Sequence, residues 1–539
     1  MQWLARTPAT SIADAVRFAS GCSIQDLVSP EPLEPWMVKN LEEAVILIGN
    51  CLKAGKRVSI IGDYDTDGVT ATAILFLTFT SLGVEPDIRL PYRMSEGYGL
   101  SVNIVDEVCE KNPDGLLITV DNGIAAIEAV QHAKDAGLTV IVLDHHLPGS
   151  VLPAADVVVD QWLAPENTSN YYCGAGLAYK LAQYLIPGNE ELLEKLSALA
   201  AIGTIGDVMT LTSDNRVIVQ EGLTAINNRH VTRGLQSVLD VSGKAKFDAI
   251  TIAFYIVPMI NAAGRLLDNG AKFPCAILAA ETPVPRHAEK LLALNNERKE
   301  MVKAQMEKIS SDLNLTDNTP PIPIVVFSDF VHEGIAGILA GKLTETYHVP
   351  AFVFAASHGR WKGSGRSIEG VNLVKRLDKM SEQMLGYGGH AGAAGLSVAF
   401  GHECDFITAA QSVFSDVKPE DSSVAYYDVT LVEGQVPSAF KEQESLEPFG
   451  EGCPKPLVRV KGCRILPGRN GSLAFYMGKN KEHVKLKCSA FSILGFFMSD
   501  AYKELGEPEY VDVIGYLELN ISQYGKELQV NAQAILPVE

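Results

Sequence analysis

Three short runs rich in β-branched residues, RVSIIG (57–62), GLLITV (115–120) and TVIVL (139–143), each stop abruptly at a polar cluster. No other feature constrains the fold as strongly. The clusters are Asp63-Tyr64-Asp65-Thr66-Asp67-Gly68, Asp121-Asn122-Gly123 and Asp144-His145-His146. Ala-rich segments of helical length, such as GIAAIEAVQHAKDAG, separate the runs, and a fourth apolar run, DVVV, follows them. Short apolar strands alternating with helices predict a parallel sheet with covering helices. In an open parallel sheet, residues just past the strand C-termini converge on one crevice, where ligands bind. Asp63, Asp65, Asp67, Asp121, Asp144, His145 and His146 are therefore expected to share a site. Asp207, after the apolar segment ending in GTIG, is expected there too, likewise at a strand end.

Three carboxylates at positions 63, 65 and 67 repel one another unless a cation sits among them. The pattern D-x-D-x-D-G also opens an EF-hand loop, but that loop needs a preceding helix and a Glu at its twelfth position. Here a strand precedes, and the twelfth position is Ile74. Carboxylates with imidazoles and no thiolate suit Mn²⁺ or Mg²⁺ before Zn²⁺. So many anionic groups in one crevice exceed what a single cation neutralises. Two cations about 3.5–4 Å apart, bridged by one carboxylate, form a clamp for in-line displacement at phosphorus. A spare imidazole can donate to the phosphate or protonate the leaving oxygen. The chemistry expected is that of a phosphoesterase.

At 539 residues the chain exceeds what one core supports, and several domains are expected. The reading is a helical segment over 1–50, an α/β catalytic domain over 51–225 and a helical linker over 226–315, which closes in a long charged connecting helix. A second α/β domain follows over 316–420, opening at PPIPIVVF, and a strand-rich small barrel over 421–539. No uninterrupted apolar run looks long enough to span a bilayer, and the N-terminus lacks a signal-peptide core. Nine cysteines without a C-x-x-C pair fit a reducing cytoplasm. A net charge of −20 excludes bulk coating of nucleic acid but not a local basic track. The stretch from Lys455 to Lys487 is such a track, or else an ordinary solvated face.

With these residues in hand, DYDTDG, DNG, DHH and the Asp of GTIGDV resemble the four motifs of the DHH phosphoesterase superfamily. INAAGR (260–265), HEGIAGILAGKL (332–343), GSGRS (363–367), GGHAGAAG (388–395) and LEPFGEGCPKP (446–456) narrow the resemblance to the RecJ family, single-strand-specific 5′→3′ DNA exonucleases. The resemblance implies a DHH domain, a DHH-associated domain and a C-terminal OB-fold. It implies metal ligation by Asp63, Asp65, Asp67, Asp121, His145 and Asp207, with Asp121 bridging two Mn²⁺ or Mg²⁺ ions. His146 would contact the scissile phosphate, and Asp144 would orient a neighbouring imidazole. Asn261, Arg265, His332, Gly365, Arg366, Ser367, Gly389 and His390 would form a phosphate-binding wall, close-packed glycines admitting the anion to backbone N–H groups. Basic and aromatic residues of the barrel, Phe475, Tyr476, Lys485 and Tyr524, would hold the strand. The implied partner is single-stranded DNA, with a single-strand-binding protein and a helicase as candidate cooperating proteins. The implied state is a monomer in DNA repair or recombination.

The sequence departs from the family pattern in places. Met259 stands in Pro258-Met259-Ile260-Asn261 where an arginine is usual, Val331 precedes the HEG motif where an aromatic is usual, and Gly452-Cys453-Pro454 replaces Gly-Asn-Pro. None touches the expected metal set. Two rival readings are a DHH phosphodiesterase acting on short RNA, cyclic dinucleotides or pyrophosphate, and an inactive DNA-binding scaffold. The third, OB-like domain argues against the first, and the complete ligand set against the second.

Overall fold

After a short first strand, β1 (Gln2–Ala5), the chain runs through helices into a five-stranded sheet of β2 (Val58–Ile61), β3 (Asp87–Arg89), β4 (Leu116–Val120), β5 (Thr139–Leu143) and β6 (Val157–Val159). The structure is a computed structural model that describes residues 2–163, 172–315, 320–418, 424–468, 471–522 and 525–538. The five strands are all parallel, in the order β3-β2-β4-β5-β6. Ile60, Leu116, Ile118 and Ile141 face one core, with the helices Thr66–Ser81 and Gly174–Leu185. Ile61, Leu117, Val140 and Val142 face another, with Val102–Lys111 and Ile127–Asp135. Both faces are covered, which is why these strands read as unbroken apolar runs. Each such side chain withdrawn from water contributes about 1.5–3 kcal/mol. Parallel neighbours need a crossover at every step, so the strand C-termini all finish on one edge.

Asp207 reaches that edge by another route than the expected strand. The segment ending in Gly206 is the helix Glu190–Gly206, and Asp207 caps it. Its run of Ala, Gly and Ser lets it lie close to Thr66–Ser81: a Cβ built on Gly203 would stand 2.6 Å from Thr70 Oγ1. Small apolar residues are as compatible with a buried helix as with a strand, and ten successive residues, Leu196–Ile205, are buried here.

In the linker, a continuous helix covers Ala249–Leu266 and includes a π-turn at Ile252–Ile256. By length and hydropathy alone it could cross a membrane, contrary to the sequence expectation, yet half of it is buried inside the protein. The connecting helix, Pro285–Asp312, spans 28 residues, or about 42 Å. It leads to β7 (Ile324–Ser328), β8 (Ala351–Ser357), β9 (Arg360–Arg366), β10 (Gly386–Gly389) and β11 (Ala393–Ala399). These form a second sheet, β10-β11-β9-β8-β7, in which β7 and β8 run parallel and the other neighbours antiparallel.

The last part holds β12 (Val424–Tyr427), β13 (Val429–Val432), β14 (Val458–Arg464), β15 (Ala474–Met477), β16 (His483–Lys487), β17 (Ser492–Gly495), β18 (Tyr510–Ser522) and β19 (Gly525–Leu536). Strands β13 to β19 make one seven-stranded sheet around a core that includes Val460, Leu486, Val513 and Val530. Ser522 and Gly525 pair across the hairpin expected near Tyr524, although Tyr524 itself lies outside the described residues. The N-terminal segment is more than a helical lead-in. β1 pairs in parallel with β12, and Ile12, Ala15 and Val16, one face of the helix Ile12–Ser20, enter the same core as β13 to β19. A buried arginine pins the join. Arg216 donates to the carbonyls of Leu27 (2.6 Å), Leu211 (3.3 Å), Leu446 (2.6 Å) and Pro448 (2.8 Å).

Candidate metal centre and phosphate recess

The acidic loop after β2 is held by its own backbone. Asp65 caps the helix Thr66–Ser81, accepting from the N–H groups of Asp67 (3.0 Å) and Gly68 (3.2 Å). A Cβ on Gly68 would lie 2.5–2.7 Å from the backbone of Asp63, so only glycine lets the helix start this close to the strand end. Asp67 accepts from Gly174 N (2.6 Å) and Ala175 N (2.8 Å) at the start of the helix Gly174–Leu185, where the helix dipole favours its charge. After β4, Asp121 takes a left-handed φ of +63°. Asn122 beside it donates to Ile61 O (3.1 Å) and Val120 O (2.9 Å), tying the β2 and β4 ends together.

After β5, Asp144 accepts from Ile124 N (2.8 Å), His145 N (2.8 Å) and His146 N (3.2 Å), and its Oδ1 lies 2.7 Å from His146 Nδ1. His145 Nε2 lies 3.0 Å from Asp121 Oδ1 and 3.7 Å from both Asp67 Oδ2 and Asp207 Oδ2. Carboxylate and imidazole atoms thus fall into groups whose members lie within 4.8 Å of one another. One is Asp63, Asp65 and Asp121; another is Asp67, His145 and Asp207; a third is Asp121 with both histidines. The structure brings together all eight polar residues expected at the strand edge.

Their electrostatics call for cations. Burial, then the neighbouring carboxylates, raises the pKa of Asp63, Asp65 and Asp121 and pushes Asp207 up to about 8. Asp63 Oδ1 is buried and accepts no hydrogen bond from the described residues. Such an orphaned acceptor is costly unless a ligand takes it up. Burial opposes the charge on Asp144, yet the His146 hydrogen bond holds its pKa below the ordinary value. Burial also opposes the charge on His146, but Asp144 and the other carboxylates prevail and push it up to about 9. His145, more deeply enclosed, is shifted the other way by burial. The donor set, oxygen-rich with His145 beside Asp67, Asp121 and Asp207, fits hard divalent cations.

A polar recess of about 200 Å³ adjoins the centre, between the linker, the second domain and the loop after β3. Tyr64, Arg93, Arg265, Lys362, Ser364 and Arg366 line it, together with Glu333, which pairs with Lys362. Burial, then Arg93 and Arg298, pulls Arg265 down to about 9; burial, then Arg93, also lowers Arg366. Guanidinium groups stay charged at neutral pH, so these shifts mark charges kept from water and, to a smaller extent, set against like charge, which a bound anion would offset.

Of the residues expected on a phosphate wall, Arg265 and Arg366 line the recess. Asn261 lies on the same helix as Arg265, with Oδ1 buried and unpartnered. Others serve differently. Gly365 faces Phe352, whose ring would lie 2.7 Å from an added Cβ; its missing side chain accommodates an aromatic core and not an anion. His332 Nδ1 accepts from Gly334 N (3.1 Å) as a helix cap, and Ser367 Oγ donates to Val371 O (2.7 Å). Gly389 and His390 are exposed at the turn from β10 to β11, outside the recess lining.

Sequence reasoning missed Arg93, Tyr98, Asp160 and Lys362, and within GSGRS it singled out Gly365, Arg366 and Ser367 but not Ser364. Tyr98 donates to Asp121 O (2.8 Å) and lies 3.1 Å from His146 Nδ1. Asp160 follows β6, and burial pushes it up to about 7. Arg93 follows β3 and Asp160 follows β6, so the strand-end rule extended to the two outer strands would have found both. In the barrel, Phe475 is exposed, Tyr476 donates to Glu507 (3.0 Å), and Lys485 is paired with Glu527 (2.6 Å). Arg464 is paired with Glu509 at the surface, which favours the solvated-face reading there, while Arg459 is buried against Asp512 and fits neither reading of the basic stretch.

Comparison with known proteins agrees with this geometry. The DHH family N-terminal domain matches residues 57–204, the DHHA1 domain 322–416 and the RecJ OB domain 428–534. The single-stranded-DNA-specific exonuclease RecJ of Escherichia coli (strain K12) is 35% identical over 433 residues, 75% of this chain and 73% of that protein. The protein of the same name from Haemophilus influenzae is 33% identical, over 84% of this chain and 82% of its own. The crystal structure of RecJ in complex with Mn²⁺ from Thermus thermophilus superimposes with a TM-score of 0.81 at 29% identity, covering 98% of this chain and 76% of that one. A complex of RecJ with Mg²⁺ from the same organism gives 0.75 at 27% identity, over 98% of this chain and 74% of that one. With three domain matches in order and relatives above 30% identity along most of its length, the chain belongs to the RecJ family of DHH phosphoesterases.

Proposed function

We propose that the chain is a single-strand-specific DNA exonuclease that removes nucleoside 5′-monophosphates in the 5′→3′ direction with two divalent cations, Mn²⁺ or Mg²⁺. One observation carries this reading: an acidic cradle with an orphaned carboxylate oxygen opens beside a recess lined by three arginines. Asp63, Asp65 and Asp121 would hold one cation, and Asp67, His145 and Asp207 the other, with Asp121 between them. When bound, the cations lower the pKa of water and stabilise charge building on phosphoryl oxygens.

The chain's own groups do the rest. His146, held by Asp144, whose carboxylate favours the protonated ring, donates to the scissile phosphate or the leaving oxygen. Tyr98 fixes the Asp121 backbone and limits the motion of the His146 ring. Arg93, Arg265 and Arg366, with Ser364, receive the terminal 5′-phosphate, so that the cut falls one nucleotide inward and polarity follows. A passage between the first two domains wide enough for one strand only would exclude a duplex. Within the same reading the protein acts as a monomer in the cytoplasm, in DNA repair or recombination. A single-strand-binding protein and a helicase would supply the strand.

The test is digestion of 5′- and 3′-labelled single and double strands with Mn²⁺, Mg²⁺ or chelator. Metal-dependent mononucleotide release from 5′ ends of single strands is expected, and its absence with Mn²⁺ refutes the reading. Arg366→Ala should cut the preference for a 5′-phosphate over a 5′-hydroxyl about 10- to 100-fold, as expected for a charge-assisted hydrogen bond. An unaltered preference would remove the recess from the mechanism.

A further inference from the structure

The helix Ala249–Leu266 carries exposed residues that the site described so far does not use. Phe254 is 69% exposed and Tyr255 42%, at the π-turn, where one extra residue per turn brings both to the outward side. Ile256, Val257, Met259 and Ile260 point inward and are buried. Phe254, Pro258, Asn261 and Arg265 recur at helical spacing, and the burial pattern puts them on the less buried stripe. One end of this stripe is the arginine recess and the other is the aromatic pair, about 16 Å away.

The inward flank of this helix, at Val257, packs beside the elements that carry the metal centre. Thr66, between two of the acidic residues, donates to Val257 O (3.3 Å), and a Cβ on Gly206, next to Asp207, would lie 3.4 Å from Val257 Cγ2. Val208, just past Asp207, is 65% exposed and holds a left-handed φ of +56°, a strained state for a β-branched residue that clusters near working sites. One cation stands beside the pair: Lys244 Nζ lies 3.5 Å from the centre of the Tyr255 ring.

We propose that Phe254 and Tyr255 form a base-stacking platform for the retained strand, on the 3′ side of the cut, with Lys244 beside the backbone. This rests on the exonuclease reading above. At about 3.4 Å per stacked nucleotide the stripe has room for roughly four or five nucleotides from the recess. Aromatic faces accept any base, as a sequence-indifferent nuclease requires. The platform grips a strand long enough to reach it and gives short products no hold.

The full chain and its Phe254→Ala and Phe254→Trp variants test this. With Mn²⁺, KM on a long 5′-phosphorylated strand should rise about ten-fold or more in Phe254→Ala, while kcat moves much less. The advantage of long strands over dinucleotides should shrink by the same factor, and Phe254→Trp should restore it. In chelator, 2-aminopurine placed at successive positions from the 5′ end should be quenched in the wild-type chain at one fixed distance from that end. A length advantage equal to wild type in Phe254→Ala, or quenching indifferent to position, overturns the platform. If the wild-type chain cleaves nothing, the exonuclease reading falls, while the chelator measurement still decides whether the aromatic pair stacks bases.

Discussion

The acidic cradle and the arginine recess adjoin each other, carry opposite charge and are held in opposite ways. Every carboxylate of the cradle is short, and Asp65, Asp67 and Asp144 are fixed by two or three backbone N–H groups at helix starts and strand ends. The recess is lined by long side chains from a loop, a helix and a strand. Among the described residues, the Arg265 side chain makes one long hydrogen bond, to Gly334 O (3.4 Å), and the Arg366 side chain bonds only its neighbours Ser364 and Gly365 (2.9 Å each). A resident cation needs ligands fixed in advance, because its geometry tolerates little error. A phosphate that arrives and departs with each turnover is better served by flexible charges that close on it. The contrast separates what the protein keeps from what it handles in passing.

The largest effect should come from breaking the cradle. Asp121→Ala removes the carboxylate that groups with Asp63 and Asp65 on one side and with His145 and His146 on the other, and cleavage should fall by about 10³-fold or more, in line with several kcal/mol of lost charge stabilisation. Single-strand affinity measured in chelator should stay near wild type, because the recess is untouched. The rise in melting temperature produced by Mn²⁺ should largely disappear. Cleavage at the wild-type rate, or a full Mn²⁺-induced rise, would undo the two-cation assignment.

The same contrast explains what could be read from the sequence. The cradle was legible because short carboxylates act only where the backbone puts them, and strand ends in a parallel sheet are few. Asp63, Asp121 and Asp144 follow from apolar runs alone. Asp207 was placed in the right crevice for the wrong reason, since ALAAIGTIG suits either element and packing against Thr66–Ser81 decides for helix. The recess was half legible. An arginine reaches far, so Arg93 comes into view only when the strand-end rule is extended to the three-residue strand β3, four residues upstream. The glycines of GSGRS drew attention to an anion when their immediate cause is the rings of Phe352 and Phe354. Nor does any periodicity reveal that residues 2–28 join the last domain; that requires the β1–β12 pairing and the shared core.

Arg216 extends the comparison to a third kind of charge, buried and fully engaged. Its guanidinium bonds four carbonyls from the N-terminal segment, the first domain and the segment that leads into the barrel, with burial opposing its charge. Arg216→Met keeps much of the volume but strands those carbonyls. A loss of about 3 kcal/mol is expected in urea unfolding followed by tryptophan fluorescence. A loss under about 1 kcal/mol would mean that the carbonyls find other partners and that the arginine is not what joins these segments.

Arg265→Met should move stability the other way. In the fold the Arg265 pKa lies below its ordinary value, because burial, Arg93 and Arg298 oppose its charge. For a base the sign is direct: below about pH 9 the folded state carries a penalty that the unfolded chain does not, and it vanishes only above the ordinary arginine value. Removing the charge at neutral pH therefore relieves the fold, and the lost contacts of the side-chain stem offset part of the gain. The net expectation is a rise of about 1 kcal/mol or less. Inorganic phosphate should raise the melting temperature of the wild-type chain, and Arg265→Met should lose most of that rise. A variant that is less stable and still stabilised by phosphate would place Arg265 with Arg216, as a structural group, and leave the recess to Arg93 and Arg366.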